Sequence, residues 1–432
     1  MKNPESTPVE ALPMPRMLLA RQSFAPAPAL DLAAETERQL TPLLEGLPSG
    51  ATVAVAVGSR GITGLATLVR SAIDVLRAAG AHPFVVPAMG SHGGGTPAGQ
   101  LALLADYGVS DATCGVPFQP SMEVRCLGST ADGVDAVCSA AALQADRILL
   151  INRIKPHTDF KSPIGSGLLK MLVVGLGKHE GAKRFHQAAS RLGYEPALRS
   201  IAAVLKPNVP LLGGLAVVEN QAHQTARLAG VLPAVLESAE EELCAEARAL
   251  MPRLPFDEVD LLIVDRMGKN LSGTGMDPAI IGRMIHGYST EIDPEQPPPR
   301  VRRLFVRDLT PESHGNAIGV GMADFTTDRL VAAMDARITS VNALTALSIQ
   351  GAKVPIHFPC DRAAIEAALR SLALPDVATA RVVRIRDTLS VETLECSESL
   401  AGCVRSDCSV EISGVPRPFD FDAEGNLAAA RG

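Results

Sequence analysis

The chain has no tryptophan, and its 432 residues include only three tyrosines and 11 phenylalanines. Proteins that bind single-stranded nucleic acid stack its bases on aromatic side chains, so this scarcity argues against such a surface. The formal net charge of -7 also excludes a general basic field that would attract a phosphate backbone. We therefore expect no nucleic-acid partner, and alanine, leucine and valine must fill most of the core.

Long apolar runs and paired cysteines are absent as well. No segment approaches the roughly 18 to 20 consecutive apolar residues that span a bilayer. The N-terminal stretch MKNPESTPVEALPMPRM is interrupted by proline and glutamate, unlike a signal peptide. The eight cysteines include no C-x-x-C pair, which favours reduced thiols. These absences predict a cytoplasmic protein without a membrane partner.

Several standard catalytic motifs are missing. No G-x-x-x-x-G-K-[ST] segment occurs, so a P-loop is not expected. Gly175, Gly177 and Gly181 do not have the spacing of a dinucleotide fingerprint. The pair His179-Glu180 is followed by Gly-Ala-Lys, so the H-E-x-x-H zinc motif is also absent.

Strand and helix patterns alternate along the first half of the chain. Apolar runs at 51–57, 82–89 and 146–154 predict buried strands, and amphipathic patterns at 65–80 and 97–106 predict helices. Such alternation is typical of a mostly parallel sheet with helices on both faces. The length of the chain favours two domains.

The second half repeats this mixture of strands and helices. We place the domain boundary in the proline-bearing stretch at 251–260, which gives an N-terminal α/β domain at 1–255 and a C-terminal α/β domain at 256–432. The predicted fold class is therefore α/β, with two domains of mostly parallel sheets, a Rossmann-like first domain and an active site in the interdomain cleft.

One segment is strongly basic although the whole chain is acidic. Residues 151–186, INRIKPHTDFKSPIGSGLLKMLVVGLGKHEGAKRFH, hold five lysines, two arginines and three histidines, opposed only by Asp159 and Glu180. A local cluster of this kind favours a local anionic ligand.

Candidate functional side chains follow the ends of three predicted strands. Arg60, His92 and His157 come after the strands at 51–57, 82–89 and 146–154. The carboxyl ends of parallel strands meet at one edge, where ligands bind in such sheets. The four glycines around His92 leave its imidazole accessible, and the Arg60 guanidinium could hold a carboxylate or phosphate.

Further candidates are two amines and a helical imidazole. Lys170 precedes the apolar run MLVVGLG, where desolvation would free its amine for covalent chemistry. The pattern at 177–186 predicts a helix with His186 on one face, and imidazole is a common ligand of divalent transition metals. Lys269 lies in the glycine-rich loop at 265–284, which has the composition of a substrate-contacting loop.

These motifs together resemble the nickel-pincer lactate racemase family, enzymes that interconvert the stereoisomers of 2-hydroxyacids. The marks are an arginine loop (VGSRGI), a G-[ST]-H loop (GSH), and His157, Lys170 and His186 in that order. The resemblance covers most of the first domain and reaches the loop that follows position 258. Val57 stands where the family usually has an aspartate, so the chain resembles a divergent subgroup.

The resemblance implies a racemase or epimerase that uses a nickel-pincer nucleotide, a pyridinium-3,5-bisthiocarboxylic acid mononucleotide that binds nickel. His92 and His157 would be the acid and base, and His186 the protein ligand of nickel. Lys170 would attach to the cofactor, whose phosphate would attract Arg60, Lys161 and Lys178. Arg60 and Lys269 would orient the substrate.

The resemblance also implies a 2-hydroxyacid as the small-molecule partner and proteins that synthesise the cofactor, while it sets no oligomeric state. Two alternatives remain open. One is a zinc-dependent hydrolase or lyase with His92, His157 and His186 as ligands. The other is a non-catalytic anion-binding protein on the same fold.

Overall fold

The computed structural model describes residues 12–24, 26–58, 61–157, 162–283, 299–345 and 347–430. The strands in chain order are β1 (Met17–Ser23), β2 (Thr52–Val57), β3 (His82–Pro87), β4 (Val124–Ser129), β5 (Asp135–Ser139), β6 (Arg147–Arg153), β7 (Leu211–Glu219), β8 (Thr225–Val231), β9 (Glu258–Met267), β10 (Arg300–Leu309), β11 (Phe325–Thr327), β12 (Ile356–Phe358), β13 (Val382–Ile385), β14 (Thr393–Ser397) and β15 (Ser409–Arg417).

The helices are α1 (Leu32–Leu40), α2 (Leu65–Ala78), α3 (Pro97–Asp106), α4 (Asp111–Cys114), α5 (Leu168–Lys170), α6 (Lys178–Leu192), α7 (Tyr194–Leu205), α8 (Leu236–Ala249), α9 (Pro278–Ile281), α10 (Asp328–Ala333), α11 (Ala336–Thr345) and α12 (Asp361–Arg370). No helix within the described ranges is long and apolar enough to cross a membrane.

The chain forms two compact units, and residues 26–251 make up the first. Its main sheet has the order β3-β2-β6-β7-β8, in which the first four strands are parallel and β8 is antiparallel to β7. Counted within this sheet alone, the strand order is 2-1-3-4-5, one of the two common doubly wound arrangements. A separate hairpin pairs β4 with β5. The predicted α/β class with a mostly parallel sheet is confirmed.

Two apolar cores cover the two faces of this sheet because successive strand residues point to opposite sides. In β2, Val53, Val55 and Val57 belong to one core, and Ala54 and Ala56 belong to the other. Helices α1, α2 and α3 contribute to the first core, whereas α5, α6, α7 and α8 contribute to the second. The sheet is therefore buried on both faces, and its strands are accordingly continuous apolar runs.

The second unit consists of residues 252–432 together with the start of the chain. Its sheet has the order β12-β11-β10-β9-β13-β14-β1-β15. The strands from β12 to β13 are parallel to their neighbours, and the pairs from β13 to β15 are antiparallel. This unit is therefore a mixed α/β structure with its own core around β9 and β10.

Strand β1 belongs to the second unit and not to the N-terminal domain at 1–255 that the sequence predicts. We assigned residues 1–255 to a single N-terminal domain, whereas β1 pairs on both sides with strands near the end of the chain, β14 and β15. Its partners lie more than 370 residues away, so no local pattern could reveal this pairing.

Buried charges connect the central strands of the second unit. The Arg384 guanidinium donates to both oxygens of Asp265, at 2.9 and 2.8 Å, and pairs with Glu395 at 3.1 Å. Arg307 bridges Asp265 and Asp361, at 3.0 and 2.7 Å. The Arg384 side chain is only 4% exposed, so its removal would take a cation away from the two carboxylates that it contacts inside the unit.

We predict that Arg384→Met lowers the free energy of unfolding by about 3 to 5 kcal/mol, because it breaks a buried ion pair from one side. Chemical denaturation measures this loss. Arg386→Met is the matched control, since that side chain is 63% exposed, and it should change the stability by no more than about 0.5 kcal/mol. Equal losses in the two variants would contradict the account.

Candidate functional site

The loops that follow β2, β3 and β6 leave the first sheet at one edge. Strand β2 pairs in parallel with β3 on one side and with β6 on the other. The chain reverses its winding direction between β2 and β6, and ligands of open α/β sheets bind at such a switch point. His92 follows β3 and His157 follows β6, so both predicted catalytic histidines come after strand ends at this edge.

The loop that carries His92 is held in a tight turn. The segment Gly93–Gly95 has φ values of 65°, 66° and 64°, a region that glycine adopts without strain. A Cβ atom at Gly93 would lie 2.6 Å from the Gln100 nitrogen. The side-chain amide of Gln100, in α3, donates to the Gly90 carbonyl at 3.0 Å and so stabilises the turn. The His92 side chain is exposed.

The same loop packs against the helical segment that contains Lys170 and His186. The Gly90 nitrogen donates to the Gly175 carbonyl at 3.3 Å. A Cβ atom at Gly95 would lie 3.5 Å from Nδ1 of His179, in the first turn of α6. The fold therefore brings the turn after β3 to the beginning of α6.

The buried Lys178 side chain connects the start of α6 to the end of β3. This side chain is fully buried, and its ammonium donates to the Pro87 carbonyl at the end of β3. Burial lowers the pKa of Lys178 to about 8. The backbone at Lys178 has a φ of 57°, and one π-helical turn, Met171–Gly175, lies just before it. Positive φ at a side-chain-bearing residue and π turns both occur preferentially at functional sites.

The loop that carries His157 is closed at its base, and its C-terminal end is tied to α7. Lys155 and Ser166 exchange backbone hydrogen bonds of 2.9 and 2.7 Å. The Tyr194 hydroxyl donates to the Gly165 carbonyl at 2.9 Å. The described part of this loop is therefore anchored to α7, which begins at Tyr194.

Aromatic contacts bring three predicted functional side chains into one cluster. The rings of His157 and Tyr194 have centroids 4.5 Å apart, and the Lys170 ammonium lies 5.3 Å from the Tyr194 ring centroid. The Phe185 ring contacts both Tyr194 and His186, each at 5.4 Å. His157, Lys170 and His186 are therefore neighbours of one buried aromatic pair. We call these five side chains the aromatic cluster.

The backbone around Lys170 is fixed by two buried polar side chains. The Asn152 amide donates to the Gly167 carbonyl at 2.7 Å, and the Glu240 carboxylate accepts from the Leu169 nitrogen at 2.7 Å. Complete burial raises the pKa of Glu240 to about 7. Lys170 itself is half-buried at the end of this braced turn.

Two of the predicted site residues fall outside the described ranges, Arg60 and Lys161. Of the others, His92 and His186 are exposed, and His157 and Lys170 are half-buried. Lys178, which we predicted to contact a cofactor, is instead directed into the protein interior. Cofactor binding by Lys178 remains a prediction. In the structure its ammonium contacts the Pro87 carbonyl.

Lys269 belongs to the second unit, in the loop after β9. Its backbone nitrogen donates to the Ser313 hydroxyl at 3.0 Å, and its ammonium donates to the Asn342 side chain at 2.5 Å. The neighbouring Asn270 accepts from the Thr310 hydroxyl at 2.6 Å. The predicted polar loop is thus an ordered network that holds the lysine in one position.

Sequence reasoning missed Tyr194, Phe185 and Glu240. The scarcity of aromatic residues was the one available signal: a chain with three tyrosines carries one of them within ten residues of the end of the basic segment. Neither Phe185 nor Glu240 could be singled out locally. Their contacts join helices that are far apart along the chain.

A separate cavity of about 220 Å³ lies within the second unit. Its lining includes residues of β1 and β15, with Arg384 and Glu395 on its wall. Those two side chains pair with each other, so they supply no net charge for a ligand. None of the described residues that we predict to be functional lines this cavity.

The described residues contain no group of three or more His, Cys, Asp or Glu side chains that could hold a metal ion. His92, His157 and His186 are all described, so they do not form the tetrahedral zinc site of the first alternative.

Comparisons with known proteins find similarity of fold alone. No protein-family model matches the sequence, and no curated protein matches it. Among solved structures, the chain is similar to the lactate racemase apoprotein from Thermoanaerobacterium thermosaccharolyticum, with a TM-score of 0.54 and 12% identity. The alignment covers 90% of this chain and 96% of that one. The chain therefore has a lactate racemase-like two-domain α/β fold.

Lys178 yields a pH-dependent prediction. Between about pH 8 and the ordinary lysine pKa near 10.4, the unfolded chain binds a proton at this position that the folded protein does not. The stability of the wild type therefore gains from rising pH in this window. Below this pH window the buried Lys178 amine is charged in the folded protein, and its desolvation lowers the stability.

We predict that Lys178→Met gains stability relative to the wild type at pH 7, and that roughly 3 kcal/mol of this relative gain disappears by pH 10. Denaturant titrations at the two pH values measure the change. Lys183→Met, at an exposed position of the same helix, is the control and should differ from the wild type equally at both. A constant difference for Lys178→Met would contradict the assignment.

Proposed function

We propose that the protein is an isomerase, a nickel-pincer-dependent racemase or epimerase of 2-hydroxyacids. The observation that carries this proposal is the aromatic cluster. Its Tyr194 ring contacts the His157 imidazole and the Lys170 ammonium, and Phe185 contacts both Tyr194 and the adjacent His186. The lactate racemase-like fold supports the same reaction class.

The donor set of the aromatic cluster fits the cofactor. The pincer group would bring nickel donors of its own, so it would need one protein imidazole and not a cage of several ligands. His186 is exposed on α6 and suits that role. Lys170 is half-buried, and its amine can form the covalent attachment. When bound, the cofactor would supply a reversible acceptor for the substrate hydride.

The proton transfers fall to His92 and His157. The C–H bond of a 2-hydroxyacid is weakly acidic, and in this proposal its hydrogen leaves as hydride while a base takes the hydroxyl proton. A neutral imidazole accepts that proton, and the conjugate acid returns it after the carbon has become planar. One histidine for each face of the substrate makes the reaction run in both directions.

The substrate carboxylate needs a cation. The resemblance assigns this role to Arg60 and Lys269. The Lys269 ammonium is held by its hydrogen bond to the Asn342 side chain. A fixed cation orients a carboxylate with little loss of side-chain entropy.

A non-catalytic anion-binding protein is the remaining alternative. It requires the basic segment but no defined protonation chemistry at either histidine. Substitutions at His92 and His157 therefore distinguish it from an enzyme.

We predict that His92→Asn and His157→Asn each lower the rate of racemisation by roughly 100-fold or more, because each removes a proton-transferring group. The assay uses protein co-expressed with the cofactor-synthesis enzymes and follows the optical purity of chiral 2-hydroxyacids. His82→Asn, an exposed histidine at the opposite end of β3, is the matched control and should retain activity. Full activity in the first two variants would exclude the proposed mechanism.

We also predict separate losses in cofactor binding. His186→Ala should lose nickel, because its imidazole is the proposed protein ligand, and metal analysis measures this. His179→Ala, an exposed histidine on the same helix, should keep nickel. Lys170→Ala should lack the mass increment that an attached cofactor gives the wild type. An unmodified intact mass for the matured wild type would remove the covalent attachment from the proposal.

A further inference from the structure

We infer that Tyr194 is a positioning residue whose ring holds the His157 imidazole and the Lys170 ammonium in their working arrangement. This inference rests on the proposed function for the roles of His157 and Lys170. It goes beyond that proposal by assigning their placement to a third side chain.

The surroundings of the Tyr194 ring differ from those of an ordinary core aromatic. The side chain is 4% exposed, yet its ring contacts an imidazole at 4.5 Å and an ammonium at 5.3 Å. The ammonium of Lys170 is attracted to the negative face of the ring, which favours one position of a long and flexible side chain. The imidazole of His157 contacts the same ring at an angle of 47° between the planes.

The ring itself is held in place from two sides. Its hydroxyl donates to the Gly165 carbonyl at 2.9 Å, at the end of the loop that carries His157. The edge of Phe185 packs against it at an angle of 87°, in the T-shaped arrangement that aromatic pairs prefer. A side chain can position its neighbours only if its own orientation is restrained, and these two contacts restrain the Tyr194 ring.

A second residue at the beginning of α7 also contacts the loop that carries His157. The Glu195 carboxylate accepts from the Ser162 hydroxyl at 2.9 Å, and Arg199 pairs with Glu195 at 2.8 Å one turn later. Arg248 of α8 donates to the Ser162 carbonyl at 2.9 Å. The start of α7 is therefore tied to the His157 loop at two of its residues, Ser162 and Gly165.

The first test measures geometry in the full-length protein without cofactor. Histidine and tyrosine are isotopically labelled, and lysines are reductively methylated for NMR. With only three tyrosines in the chain, the ring signals can be assigned by substitution. We expect nuclear Overhauser effects from the Tyr194 ring to both His157 and the methylated Lys170. Their absence in the wild type would overturn the inference, whatever reaction the protein catalyses.

The second test uses two variants and a matched control. Tyr194→Phe keeps the ring and removes only the hydroxyl, so the His157 and Lys170 resonances should stay near their wild-type positions. Tyr194→Leu removes the ring, so both resonances should move. Tyr107→Leu removes a partly buried tyrosine that packs on the other core of the same unit, and it should move neither. Movement in Tyr107→Leu equal to that in Tyr194→Leu would indicate general loosening and contradict the inference.

The third test measures positioning in matured protein. Tyr194→Leu should lower kcat on the order of 10- to 100-fold through misplaced groups, with KM unchanged, and should leave less cofactor attached to Lys170. Tyr194→Phe should restore most of kcat. If Tyr194→Leu changes neither kcat nor cofactor attachment, Tyr194 has no positioning role. If the matured wild type does not racemise any 2-hydroxyacid, the proposed function fails, and the NMR result still decides the role of Tyr194.

Discussion

Parallel pairing of β2 with both β3 and β6 is the constraint on which the rest of the first unit depends. Because these three strands run in one direction, the segments that follow them must all leave at the same edge. Two histidines that are 65 residues apart in the chain thus come after strand ends at one edge. The buried faces of the sheet then require helices on both sides, and one of these is α6.

A second constraint fixes how α6 meets that edge. The Lys178 ammonium on the Pro87 carbonyl and the Gly90 nitrogen on the Gly175 carbonyl join the end of β3 to the start of the helix. A buried ammonium, a positive φ and a π turn all occur between residues 171 and 178, and each has an energetic cost. Natural proteins retain such costs where a particular geometry is required.

The scarcity of aromatic side chains gives the cluster around Tyr194 its significance. In a core made largely of alanine, leucine and valine, Tyr194 and Phe185 are large flat surfaces on which polar groups can rest. Their contacts connect the loop after β6, the turn of Lys170 and the face of α6 that bears His186. The aromatic pair therefore brings side chains of these three segments together, as the parallel sheet brings the strand ends together.

Local patterns in the sequence predicted the regular elements of the first unit well. The apolar run at 146–154 became β6, and the helix predicted at 97–106 is α3, which begins with proline after a threonine cap. Apolar periodicity and capping act over a few residues, so a single sequence contains them.

Contacts between distant segments could not be predicted in the same way. The pairing of β1 with β14 and β15 depends on strands near the opposite end of the chain. The orientation of Lys178 depends on a carbonyl 91 residues earlier, and a basic segment predicts only that its lysines attract anions. The role of Tyr194 depends on where three other elements end.

The central claim is that His157, Lys170 and His186 converge on a single cofactor. Anomalous diffraction at the nickel edge, from crystals of the protein matured with the cofactor-synthesis enzymes, tests it most directly. The account predicts one nickel peak within coordination distance of the His186 imidazole, with continuous density from the cofactor to the Lys170 amine and with His157 facing the same group. A nickel ion bound elsewhere, or His157 and Lys170 turned to separate surfaces, would contradict it.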